Sequence, residues 1–273
     1  MSTEAAHQRP ARRTEDGSAQ LPQWSAAGLL GLWLLVTLPM AGLSLGLAPY
    51  LIARLPDADP GLIFWKTIIA GMAWQTVVSI GVLAWEGQGW TLDALRRGLW
   101  LRAPSLHGTK RANWAILWRL VPVGVLCVLA VDSAFGWLDA VLAARLPEWL
   151  VPSYADITAL ATAANKGNWS LLWIALVSSV FNYGLGEALF FHGILLPRMV
   201  QTFGRRAWAV NAVAFGLYHA HKAAVWPTVI LSCVAYSWPA QYTRSIWPAL
   251  LIHGFEGLVL IAAVLLVVLG GPL

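Results

Sequence analysis

Apolar residues fill this chain in blocks that are too long and too uniform for the helices of a globular protein. Five such blocks, at 26–53, 61–85, 114–136, 169–196 and 245–270, are each long enough to cross about 30 Å of hydrocarbon at about 20 residues per span. Two weaker blocks, 206–221 and 225–241, fall between the last two, the second of them being the weakest. The pattern predicts an all-α, polytopic transmembrane bundle of about seven spans, with six to eight as the range. Residues 1–24 are polar, without apolar periodicity, and predict a disordered cytoplasmic tail. Residues 25–273 predict a single membrane domain. The first apolar block exceeds a signal-peptide core and lacks a small-residue cleavage site, so it is expected to remain in the mature protein.

The polar positions between blocks orient the bundle. Arg9, Arg12 and Arg13 precede the first span, and Arg96, Arg97, Arg102, Lys110 and Arg111 separate the second from the third. Arg198, Arg205 and Arg206 follow the fourth, and Arg244 precedes the seventh, whereas the alternate connections hold only Arg54, Arg145, Lys166 and Lys222. The positive-inside rule then predicts a cytoplasmic N-terminus and an outer C-terminus; the expected location is a bacterial plasma membrane. Many tryptophans, among them Trp24, Trp85, Trp114, Trp137, Trp169, Trp226 and Trp247, fall at span ends and read as headgroup belts. Thr91–Leu101 reads as an amphipathic surface helix, and 138–168 as an outer connection with room for a second.

Composition agrees with the pattern: 58% of the 273 residues are hydrophobic and 11% charged, with a mean hydropathy of +0.63. The net charge of +5 lies in loop clusters, which excludes nucleic acid as a partner and leaves membrane lipid and a peptide or membrane-protein substrate. Oligomeric state is not legible. Cys127 and Cys233, both in apolar blocks, read as small core residues.

An ionisable side chain within a span costs at least about 2.5 kcal/mol, so each is a candidate for function. Lys66, Arg119 and Asp132 lie near span ends, where snorkelling or local pairing explains them. The others, Glu187, His192, His219, His221, His253 and Glu256, gather in the last four spans. At about 1.5 Å per residue Glu187 lies roughly 15 Å deep, His219 roughly 18 Å and His253 roughly 10 Å, which predicts one shared site. Phe215 shares a face with His219, and Glu256 with His253. On a regular helix His221 lies about 200° from His219 and belongs at the outer rim with Lys222. His192, about 140° round from Glu187, suits a supporting role or that of a satisfied interfacial histidine.

A desolvated glutamate with two imidazoles can activate water for hydrolysis, one imidazole stabilising an oxyanion. The same set can also hold a divalent metal such as zinc through Glu187, His219 and His253. As a proton relay it would serve a transporter. No HExxH, GxSxG or His/Cys/Cys zinc signature occurs.

The run GEALFFHGILLPR at Gly186–Arg198, FGLYH at Phe215–His219 and SIWPALLIHGFEG ending at Gly257 occur in order over the last third of the chain. Together they resemble the motifs of the CPBP family, the CAAX-prenyl-endopeptidase-like and bacteriocin-processing (Abi-type) intramembrane proteases, with a core at about 169–270. The resemblance implies an intramembrane endopeptidase cutting near the cytoplasmic side, Glu187 and His219 activating water and His253 stabilising the oxyanion. Ala188, His192 and Gly257 stand where the family has Glu, Arg and Asn. Glu256 and His192 are expected as partial substitutes. A catalytically inactive scaffold or immunity factor is the alternative, and a proton-linked transporter a further one.

Overall fold

The computed structural model describes residues 21–87, 89–106 and 111–271. The tail predicted for residues 1–24 therefore lies outside the described residues up to residue 20, as does Lys110. Leu21–Trp24 are packed: Gln201 donates to the Leu21 carbonyl and Thr202 to the Trp24 carbonyl.

The described residues are helical, without strands. α1 (Ala26–Arg54) carries a π-helical turn at Gly42–Leu47. α2 (Pro60–Trp85) starts on Asp59, whose carboxylate accepts from the Leu62 amide, with Pro60 preset for the first turn. α3 (Leu92–Gly98) is the short surface helix expected after Thr91, which caps it. α4 (Leu117–Ala143) follows. The connection after it holds only 3₁₀ turns; the second interfacial helix does not form. Its Asp156 and Asn165 are spent on local turns and on Asp59, a use of short polar side chains that competes with a helix.

α5 (Ser170–Ser179) runs through π-helical stretches at Val180–Leu185 and Ala188–Leu195 into α6 (Leu196–Phe203). Gly204, at φ +56°, ends α6, and α7 (Ala207–Tyr218) turns back along it, so that Phe191 meets both Phe215 and Tyr218 at 5.0 and 5.2 Å between ring centres. α8 (Trp226–Thr243) packs antiparallel on α7, where Ser237 donates to Asn211 and Gln241 accepts from the Trp208 amide. α9 (Trp247–Leu269) completes the bundle. Among the described residues six segments are long and apolar enough to cross a membrane, and the fourth, Ser170–Tyr218, contains the reversal at Gly204. About seven passes is consistent with this, α7 being the short one.

One end of the bundle holds Trp24, Trp85, the Trp114–Trp247 pair and Arg205–Arg206. The other holds Asp59 and the 144–169 connection, joined through Asn165 and Leu160 to the start of α2. Arg198 is no loop cation. Its side chain and that of Glu86 are fully buried and joined through two hydrogen bonds at 2.8 and 2.5 Å, while its remaining nitrogen donates to the Gly98 and Ile194 carbonyls.

Candidate active site

The site begins with a break in a helix. Gly186 has φ −87° and ψ −93° between the two π-helical stretches, and its amide bonds Phe181 O at 2.8 Å. A π turn widens the helix and re-aims the side chains that follow it, and Glu187 is the first residue after the break. Thr76 of α2 donates to the Leu185 carbonyl and holds this irregular segment in place.

His219 sits at a second break, where α7 stops at Tyr218 and His219 takes φ −78°, ψ 50°. Its Nδ1 lies 2.8 Å from Phe215 O; a carbonyl only accepts, so Nδ1 carries the proton and a neutral ring offers Nε2 as acceptor. Trp226 Nε1 donates to the His219 carbonyl at 2.9 Å, so this tryptophan anchors the site and is not a headgroup belt. The helix ending at Tyr218 also removes the basis for placing His221 at an exposed rim. His221 is buried, its ring centre 5.6 Å from that of His219 and 6.1 Å from that of Phe64.

The structure brings Glu187, His219 and His253 together. His219 Nε2 is 3.7 Å from Glu187 Oε1, and His253 Nε2 is 3.5 Å from Glu187 Oε2. Glu256 reaches back along α9 to His253 Nδ1 at 2.8 Å and also accepts from the Tyr236 hydroxyl. Phe215 lies between the two imidazoles, its ring centre 4.8 Å from His219 and 5.8 Å from His253. The Tyr218 hydroxyl is within electrostatic reach of Glu187 and Gln75, without hydrogen-bond geometry to either.

His192 does not join this cluster. Fully buried, with neither nitrogen hydrogen-bonded, it lies behind Phe215 and Tyr236 at 6.1 and 6.0 Å between ring centres. It is therefore not the satisfied interfacial histidine considered from the sequence, and it reaches the site through Phe215 and Tyr236.

A cavity of about 200 Å³ adjoins the cluster and continues past Asn182, Tyr183 and Asp132 to Lys222, Val225 and Thr228. Its lining thus runs toward the 219–225 turn, which faces the 144–169 connection, and Asp156 of that connection lies within electrostatic reach of Lys222. Asp132, read from the sequence as a span-end residue, lines this cavity well inside α4. Tyr236, Tyr183 and Trp226 were not legible as site residues, because aromatic side chains at span positions carry no signal that separates them from core or belt.

Among the described residues no group of three or more His, Cys, Asp or Glu side chains has the arrangement of a metal site. Glu187 with His219 and His253, expected as one option to hold a divalent metal, is not among such groups, although each histidine keeps its Nε2 toward Glu187 and is held through Nδ1 by an oxygen.

With six candidate spans among its described residues the chain is an integral membrane protein, and it buries one carboxylate between two imidazoles. Residues 168–259, which include Glu187, His219, His253 and Glu256, match the family model described as Type II CAAX prenyl endopeptidase Rce1-like. The resemblance to the CPBP family is borne out over that stretch, and it supports a protease in the broad sense. The comparisons with curated proteins and with solved structures return no match.

Proposed function

We propose that this protein is an intramembrane endopeptidase of the CPBP type in which Glu187 is the general base. One observation carries the reading: the two oxygens of a single buried carboxylate each face the Nε2 of a different histidine, at 3.7 and 3.5 Å. These separations are too long for direct hydrogen bonds and suit a water molecule shared between Glu187 and His219. On attack at the peptide carbonyl carbon the water gives its proton to Glu187, while its second hydrogen stays directed at His219 Nε2. His253, held through Nδ1–H by Glu256, donates from Nε2 to the developing oxyanion when it is doubly protonated. Collapse breaks the C–N bond, and the proton held by Glu187 passes to the leaving amine.

The substrate reaches the site from the end of the bundle that the 219–225 turn faces. Arg96, Arg97, Arg205 and Arg206 lie at the opposite end, so a cytoplasmic N-terminus and cleavage near the cytoplasmic side do not both suit this geometry. We keep the orientation given by charge and move the cleavage to the outer half of the membrane. A membrane-impermeant thiol reagent applied to intact cells should modify Ala161→Cys; modification only after the membrane is opened reverses the orientation.

Protein reconstituted in phosphatidylglycerol-containing vesicles with a library of membrane-spanning and prenylated CAAX peptides, read by mass spectrometry, tests the activity. Glu187→Gln and His219→Ala are each expected to reduce cleavage about 100-fold or more, with binding of the peptides retained. Wild-type rates in both variants would defeat the assignment. The second reading, a silent scaffold or immunity factor, draws on Gly257, which places no donor beside His253; peptide binding without cleavage by the wild type would favour it. Because Glu187 and the two histidines carry the step above by themselves, cleavage is expected to survive prolonged dialysis against a chelator. Loss restored by added zinc would show that the side chains rearrange around a metal.

A further inference from the structure

We infer that Tyr183 supplies, through its phenol hydroxyl, a hydrogen bond to the substrate carbonyl in the proposed hydrolysis. Oxyanion formation asks for more than one donor, since negative charge accumulates on a single oxygen in a site with little water. His253 is one. The second is sought in the lining of the same cavity, where the Tyr236 hydroxyl is spent on Glu256 and that of Thr228 on Asp139.

Tyr183 is differently placed. It lies one helical turn before Glu187, lines the cavity, and sets its ring edge-on to His253 with 4.8 Å between ring centres. Its hydroxyl makes no hydrogen bond within the described residues and lies in electrostatic reach of both Glu187 and Glu256. The ring's position depends on Gly257. A Cβ at residue 257 would come within 2.7 Å of Tyr183 Cδ2 and 3.2 Å of Cε2 and Cγ, closer than side-chain atoms approach. The missing side chain at 257 and the ring at 183 are therefore one feature: Gly257 provides no donor, and the space it leaves admits a residue that does. Asn182 and Ser232 line the cavity as well, the Ser232 hydroxyl likewise without a partner; of the three, Tyr183 is the one whose ring is set against His253. Phenol hydroxyls are good donors to an oxyanion because the O–H is acidic relative to an aliphatic alcohol while remaining protonated at neutral pH.

This inference rests on the endopeptidase reading, and the experiment separates the two. Tyr183→Phe keeps the ring against Gly257 and His253 and removes one oxygen. In the reconstituted assay, with the library peptide that the wild type cuts fastest as probe, Tyr183→Phe is expected to lower kcat about 100-fold with KM within about twofold and an unchanged thermal midpoint. Wild-type kcat in Tyr183→Phe, alongside loss of activity in Glu187→Gln, would overturn the role of Tyr183 and leave the endopeptidase standing. No cleavage by the wild type would remove both. A second pair of variants guards against a purely structural effect: Gly257→Asn should abolish activity by displacing the ring, and Gly257→Asn with Tyr183→Ala should recover at least about tenfold over Gly257→Asn by offering the amide in the vacated space. Failure of that recovery, together with a normal Tyr183→Phe, would leave the ring as packing alone.

Discussion

Gly186→Ala is expected to yield no folded protein in membranes or detergent. A Cβ at this position would sit 2.2 Å from Phe181 O and 2.6 Å from Met72 O. Both are backbone atoms, one in the turn that Gly186 itself closes and the other in α2, so neither can swing aside as a side chain would. Relief requires α2 to move away from the π-helical segment, and with it the Thr76–Leu185 and Trp65–Ser178 bonds that fix their register. Overpacking of a side-chain core typically costs 1–3 kcal/mol, and a clash with two carbonyls that cannot rotate exceeds that range. The measurement is monodisperse yield after solubilisation and size exclusion, with Gly184→Ala as control because a Cβ there meets nothing within 4 Å. Wild-type yield of Gly186→Ala would show that the break before Glu187 relaxes more freely than its packing indicates.

The second large effect is at the end of the bundle away from the cavity. Arg198→Met should destabilise the protein by about 3–5 kcal/mol, because it removes the cation that faces the buried Glu86 carboxylate. The pair also organises its surroundings: Glu86 accepts from Trp24 Nε1, and Arg198 donates to Gly98 at the end of α3. Arg198→Met combined with Glu86→Leu should recover most of the loss, since an apolar pair needs no desolvation. Thermal unfolding of the three variants in one detergent decides it. Equal midpoints for Arg198→Met and wild type would mean that water reaches the pair.

Much of the architecture was legible because hydrophobic block length is set by bilayer thickness, and the spans observed follow the blocks closely. Where the sequence misled, the cause was an assumption of regular helix. His221 was rotated out of the site by counting 100° per residue through Tyr218, where the helix in fact stops. Asp132 was placed at a span end because the apolar block closes at 136, whereas α4 continues to Ala143. Arg198 was counted as a loop charge because its carboxylate partner, Glu86, is 112 residues away, and no local pattern links them. Glu187, His219, His253 and Glu256 were legible as candidates because an ionisable group in an apolar block is conspicuous, and Phe215 because it lies four residues before His219. Tyr183 and Gly257 were not legible as a pair, since their relation is one of shape between two helices.

The brevity of α7 has a consequence for how water and protons reach the interior. At 12 residues it rises about 18 Å, little more than half of a hydrocarbon layer of about 30 Å. The polar turn from His219 to Lys222 is thereby carried into the bilayer in place of lipid-facing helix. Water reaching that turn would stand beside His219, 3.7 Å from Glu187, so the thickness of the surrounding bilayer sets how readily the carboxylate exchanges protons with the aqueous phase. Turnover in vesicles of shorter acyl chains should accordingly be faster.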